Sequence, residues 1–252
     1  MIEIFILSAI QGITEFLPIS SSSHLILVSK YLSFDNQGLE IDVSLHIGSF
    51  LAVIFFFKKD VCNFFKEKKL FFKIIISSIP VMLLGFVLVK YNLIGELRNI
   101  KIIGWMTIIF GILLYLSDKF KTKNKIVSNF SYKSAIFIGI FQILSLIPGV
   151  SRSGIAITAA RLLNFDRVDS AKISFLLSIP TLAAVSVFGL SNIISSDSFQ
   201  LSVLNVFSIF LSFVFSFFTI KFFLGYIKNF NLNIFVFYRI FLGVLILIFA
   251  YL

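Results

Sequence analysis

The 252-residue chain is 58% hydrophobic and 13% charged, with a mean hydropathy of +1.03 and a formal net charge of +10. This exceeds what a soluble core needs, and continuous apolar runs do not fit the short alternating strands of a membrane β-barrel; a polytopic α-helical membrane protein remains. The charge does not point to nucleic acid, because the basic residues cluster between apolar runs instead of along one amphipathic face.

Met1-Ile2-Glu3 is no basic leader and no small-residue cleavage site follows, so no removable signal peptide is expected. The single Cys62 excludes an intramolecular disulfide and a cysteine metal cluster. Ile2–Leu17 is apolar but short of the roughly 20 residues a spanning helix needs, and Pro18 stops it. Ser22–Tyr31 is a second short helix, so the pair reads as a re-entrant hairpin, tolerated at depth only where protein covers it or a cavity adjoins it. Ile41–Phe57 spans and ends at Lys58-Lys59-Asp60. Leu70–Val89 and Ile102–Leu116 span next, with a polar link over 90–101 and a basic loop over Asp118–Lys133. Ser134–Ile147 and Ser151–Leu163 repeat the short, turn, short pattern. Ala171–Ile194, with a kink expected at Pro180, then Leu201–Ile220 and Ile234–Leu252, complete six spans and two hairpins.

The order of elements in 1–133 recurs in 134–252, and a gapless offset of 131 aligns Gln11 with Gln142, Ser20 with Ser151 and Ser22 with Ser153. Three spans per half invert the second half, so the chain reads as one transmembrane domain of two inverted repeats, with a site where its broken helices meet. Charge agrees. If Ile41–Phe57 runs inward, the inside segments 58–73, 118–133, 161–172 and 221–228 hold 16 of the 22 Lys and Arg residues. Both termini are then expected outside, the first hairpin dipping from outside and the second from inside.

The two turns carry the polar chemistry. Gln11–His24 sets an acid, a proline, four serines and a histidine between apolar flanks, and Pro148–Thr158 sets hydroxyls and Arg152 in another apolar segment. Ionisable groups at membrane depth persist mainly where they line a site. A helix starting near Ser22 and another near Ser153 would aim free N–H groups and dipole ends at an anion. Arg152 adds a fork suited to phosphate oxygens, the serine hydroxyls add donors, and Glu15 and His24 offer a base and an acid. This is equipment for phosphoryl transfer. The blander readings are an N-cap serine cluster, a core histidine and a snorkelling arginine. His46, on a spanning helix, reads as structural, and Arg239 as supporting either fold or site.

Gln11-xxx-Glu15, Phe16-Leu17-Pro18-Ile19-Ser20-Ser21-Ser22-Ser23-His24 and Pro148-Gly149-Val150-Ser151-Arg152-Ser153-xxxx-Thr158 resemble the two signature motifs of the undecaprenyl-diphosphatase (bacitracin-resistance) family. Ile41–Val53, Ser174–Pro180 and Tyr238-Arg239 are also similar to family segments, so the resemblance covers nearly the whole chain. It implies a bacterial plasma (inner) membrane phosphatase that converts undecaprenyl diphosphate to the monophosphate, recycles the carrier of peptidoglycan synthesis and confers bacitracin resistance. Its partners would be the polyprenyl diphosphate and membrane lipids. By the resemblance, Glu15, Ser21, His24 and Arg152 are catalytic, and Gln11, Ser20, Ser22, Gly149, Ser151, Ser153 and Thr158 contact substrate. A divalent cation, Mg²⁺ or Ca²⁺, would be held mainly by the diphosphate with help from Glu15. The chain departs from the pattern at Gln11, where many members have Glu, and at Ser22-Ser23, where Thr-Gly is common, which leaves less backbone freedom. The rival reading is a transporter or flippase, because inverted repeats with broken helices are transporter anatomy; a structural scaffold would leave the charges at depth without a purpose.

Overall fold

The computed structural model describes residues 1–32, 38–64, 68–91, 93–194 and 203–252. Lys66 and Leu201, used above as an inside charge and a helix start, lie outside the described residues.

Helix α1 (Ile2–Thr14) buries Ile4, Leu7 and Gln11 on one face. It ends before the expected Leu17, because residues 15–19 form a turn that contains Pro18, which disfavours helix at its own and the preceding position. Helix α2 (Ser21–Leu32) starts directly after the turn. Helices α3 (Leu39–Phe56) and α4 (Lys58–Asn63) follow, and α5 (Lys68–Lys90) carries Pro80 inside it. The polar link holds α6 (Ile94–Leu97), and the Asn99 side chain caps α7 (Ile100–Asp118) by accepting from Lys101 N–H at 2.9 Å. The basic loop contains α8 (Ile126–Asn129). Ser131 caps α9 (Tyr132–Ile143), a 3₁₀ turn covers Leu144–Leu146, and α10 (Arg152–Leu162) follows. Asp166 caps α11 (Arg167–Ile194), accepting from Asp169 N–H at 2.7 Å. Helix α12 (Val203–Asn229) continues well past the expected Ile220, carrying Lys221 and Lys228 in its last turns, and α13 (Asn233–Tyr251) is last.

Six of these, α3, α5, α7, α11, α12 and α13, are long and apolar enough to cross a membrane. The surface fits lipid: Phe218, Phe222, Phe237 and Phe241 face outward, whereas Ser49, Ser77, Ser208 and Ser212 are fully buried. The chain is an all-α, multi-pass membrane protein.

Small residues set the packing, because in lipid close backbone approach and interhelical hydrogen bonds replace the hydrophobic drive. Between α3 and α12, Ser212 Oγ donates to Leu45 O at 2.7 Å and Ser216 Oγ to Ser49 Oγ at 3.0 Å. A Cβ on Gly48 would lie 2.4 Å from Ile209 O. Helix α1 packs on α12, and α9 packs on α5, where a Cβ on Gly139 would lie 2.5 Å from Ser77 O. Near the lysine-rich segments, Asp118 accepts from Arg167 at 2.7 and 3.1 Å and from Leu232 N–H at 3.2 Å. Arg161, counted above among the inside charges, is buried and donates to Asp118 O and Phe120 O.

Candidate active site

Both turns bend through the same unusual backbone. Ser20 and Ser151 have φ of 75° and 71°, a left-handed conformation that non-glycine residues rarely adopt. In each case the next residue begins a helix, and the hydroxyl meets that of the residue two further on, Ser22 or Ser153, at 3.2 Å. Gly149, at φ 101°, supplies the other left-handed position of the second turn. Ser22 and Ser23 lie inside helix α2, so the absent family glycine is not needed for a turn there; the strain sits at Ser20.

Phe16 anchors the first turn in the core, with its ring edge-on to Phe175 of α11 at 5.4 Å. Ser153 Oγ then donates to Leu17 O at 2.8 Å, joining the second turn to the first. Between them, Arg152 Nη2 donates to Glu15 Oε1 at 2.9 Å. The other oxygen, Oε2, accepts from Ser21 Oγ at 2.7 Å and from Gln11 Nε2 at 3.1 Å. Glu15 is buried and Arg152 nearly so. Arg152 Nη1 is buried with no hydrogen-bond partner. Two residues 137 apart in sequence thus share one ion pair, and one donor of the fork stays unspent.

This cluster closes one end of a cavity of about 730 Å³. Glu15, Ser20, Ser21, Ser22, Ser151 and Arg152 line its polar end, and Ile79, Met82 and Phe86 of α5 with Val185 and Phe188 of α11 line its apolar arm. Leu83, Phe86, Val185 and Val187 are also exposed on the outer surface, so the arm adjoins the lipid-facing side. The first turns of α2 and α10 begin at the polar end, with the positive ends of their dipoles there. An apolar trough ending in an arginine, three or more hydroxyls and two helix starts can hold a lipid with an anionic head.

Not every expected site residue reaches the cavity. Gln11, Gly149, Ser153 and Thr158 are not among its lining residues; Gln11 supports Glu15 from behind and Ser153 ties the turns. His24 also faces elsewhere: Nδ1 lies 2.7 Å from Ser20 O and Nε2 2.6 Å from Tyr238 Oη, with the two rings stacked at 5.7 Å. Ser20 O accepts only, so Nδ1 carries a proton, and in the neutral ring Nε2 accepts from Tyr238. His46 does line the cavity, with Nδ1 2.7 Å from Asp42 O. Ser145 and Thr14 line it as well. Neither motif pointed to His46; it sits in a spanning helix whose apolar neighbours hide its direction.

For a divalent cation, the protein offers little. Among the described residues no group of three or more His, Cys, Asp and Glu side chains is placed to hold a metal. Both Glu15 oxygens are engaged, and Gln11 Oε1 is buried without a partner. Such a donor set suits an ion carried chiefly by phosphate oxygens and does not suit a resident metal.

The family model described as "Bacitracin resistance protein BacA" matches residues 4–245. The chain is 53% identical to the undecaprenyl-diphosphatase of Pelagibacter ubique (strain HTCC1062), over all of this chain and 98% of that protein. It is 38% identical to the undecaprenyl-diphosphatase of Jannaschia sp. (strain CCS1), covering all of this chain and 99% of that protein. It is 40% identical to that of Aliivibrio salmonicida (strain LFI1238), over 96% of this chain and 95% of that protein. With matches that run end to end and take in both turns, the chain belongs to the bacitracin resistance protein family.

Proposed function

We propose that this protein hydrolyses undecaprenyl diphosphate to undecaprenyl phosphate and inorganic phosphate, recycling the lipid carrier of peptidoglycan synthesis in the bacterial plasma membrane. Resistance to bacitracin would follow from the same reaction. The observation that carries the reading is the hydrogen-bonded set Ser21–Glu15–Arg152 at the polar end of a cavity whose apolar arm adjoins lipid. The diphosphate would sit at Arg152 and the two helix starts, and the prenyl tail between α5 and α11.

In the mechanism, Ser21 Oγ attacks the terminal phosphorus and Glu15 takes its proton. The bond from phosphorus to the bridging oxygen breaks, Glu15 passes the proton to that departing oxygen, and undecaprenyl phosphate leaves. Water then attacks the phosphoserine, giving a proton to Glu15; the bond from phosphorus to Ser21 Oγ breaks, Glu15 returns the proton to Oγ, and inorganic phosphate departs. Arg152 stabilises charge on the transferring phosphoryl. The 2.7 Å bond from Ser21 to Glu15 supports Glu15 as the base. The Ser20 and Tyr238 bonds to both ring nitrogens support an orienting part for His24, holding the first turn to α13. A cation arriving with the diphosphate would meet Glu15 and neutralise phosphate charge.

The architecture belongs to the same proposal. One transmembrane domain comprises two inverted repeats, 1–133 and 134–252, each opening with a re-entrant hairpin. The matched strain at Ser20 and Ser151, and the pairing of α1 with α12 as α9 pairs with α5, support it. Under this symmetry the interface of α3 with α12 corresponds to that of α11 with α5. The first is closed by its serine bonds, and the second holds the cavity. The lysine distribution supports both termini outside. Cys62 is exposed on α4 and should then react with a membrane-impermeant thiol reagent only from the inner side; labelling from outside would reverse the topology.

The deciding measurement is phosphate release from undecaprenyl diphosphate by the purified protein in detergent, where transport cannot register. Glu15→Gln should lower kcat by about 10²–10⁴-fold at similar KM, and chelation should reduce activity of the unchanged protein. No phosphate release, together with movement of the lipid across vesicles, would favour the flippase reading.

A further inference from the structure

Helix α13 is remote in sequence from both motifs, yet one of its side chains reaches both turns. Arg239 is fully buried. Its Nη1 donates to Pro18 O at 3.2 Å, in the first turn. Its Nη2 donates to Gly149 O at 2.8 Å, in the second. Its Nε donates to Thr107 O of α7 at 3.1 Å. One rigid fork therefore spans three segments, which a lysine's single nitrogen cannot reproduce.

Its charge is also unusual. The ion pairs among the described residues join other side chains, so Arg239 faces carbonyl oxygens alone. A buried guanidinium without a counter-ion is costly to keep. A Cβ on Gly154 would lie 2.9 Å from Nη1, which places the guanidinium against the first turn of α10, close behind Arg152. Arg152 and two helix starts stand at the polar end of the cavity against Glu15, the one carboxylate among its lining residues, and Arg239 stands behind them.

We infer that Arg239 is a positioning residue for the phosphate site. It holds the two turns at one separation, and so keeps Arg152 and Ser21 on the same carboxylate, while its unpaired charge favours an anionic head group. The inference rests on the phosphatase reading. A residue that merely stapled the fold would change the yield of folded protein and leave the kinetics of the folded fraction alone.

The test uses monodisperse protein in detergent and undecaprenyl diphosphate, with kcat and KM measured per folded molecule. Failure of the unchanged protein to release phosphate would reject the functional reading, and this inference with it; activity there isolates the question of Arg239. Arg239→Met, which removes the charge and all three bonds, should lower kcat by about 10²-fold or more and raise KM. Arg239→Lys keeps the charge, and should restore KM to within about threefold while kcat stays roughly tenfold down. Gly111→Ala covers the case in which neither variant folds. Its added methyl would sit 3.1 Å from Arg239 Cβ, and alanine is the better helix former. It should fold and lose roughly 3–10-fold in kcat through displacement of Arg239. Folded Arg239→Met, or Gly111→Ala where the former is not obtained, with kcat and KM within about threefold of the unchanged protein overturns the inference.

Discussion

Exchanging Arg152 for lysine should reduce kcat by about 10²–10³-fold, the size expected for loss of a charge-stabilising donor at a transferring group. The reason is geometric. The guanidinium spends Nη2 on Glu15 and keeps Nη1 buried and unpartnered. An ammonium concentrates its donors at one atom, so it cannot hold the carboxylate and clamp a phosphoryl oxygen in the same way. Alanine is the poorer choice, because removing one partner of a buried pair costs roughly 3–5 kcal/mol of stability and mixes folding with catalysis. Phosphate release and thermal unfolding of Arg152→Lys, measured together, separate the two. A lysine variant with more than a third of the original kcat would show that the fork is not used in the reaction. Combined with Glu15→Gln, the loss should be much less than the product of the single losses, since the two groups act as one unit.

The second large effect is expected at Ser21. Changing it to alanine deletes the proposed nucleophile and should lower kcat by at least about 10⁴-fold. The fold should tolerate the change. Ser21 is the first residue of α2, and its hydroxyl bonds to Glu15, whose Oε2 keeps the bond from Gln11. The covalent route also requires a phosphoenzyme. Acid quenching during turnover of substrate labelled in the terminal phosphate should leave label on Ser21, and none on the alanine variant. Robust turnover by Ser21→Ala would instead assign the attack to water, with Ser21 reduced to a binding group. Because Ser20 and Ser22 line the same cavity, each changed to alanine serves as a control and should lose far less.

Much of the architecture is legible in the sequence. Apolar runs of spanning length mark six helices because a bilayer demands internally bonded segments about 20 residues long. The turns are legible because an acid, four serines and an arginine set together in apolar segments are costly there unless they line a site. Helix ends are less legible. The first helix stops at Thr14, since Pro18 acts on the residues before it, and α12 runs to Asn229, since lysines near a helix end extend to the interface instead of breaking the helix. Composition alone could not separate a charged helical turn from a loop.

Sequence by itself determined that this is a multi-pass helical membrane protein with two polar bends, because hydropathy and ionisable residues at depth are properties of each segment taken alone. Which polar residues face one another was decided only by the tertiary structure. It set Glu15 between Ser21 and Arg152, turned His24 toward Tyr238, brought His46 to the cavity, and drew Arg239 across from the last helix to both turns. The physical reason is that a side chain's direction follows from helix rotation and crossing. Those are fixed by close contacts at small residues such as Gly48 and Gly139, and no single segment contains that information.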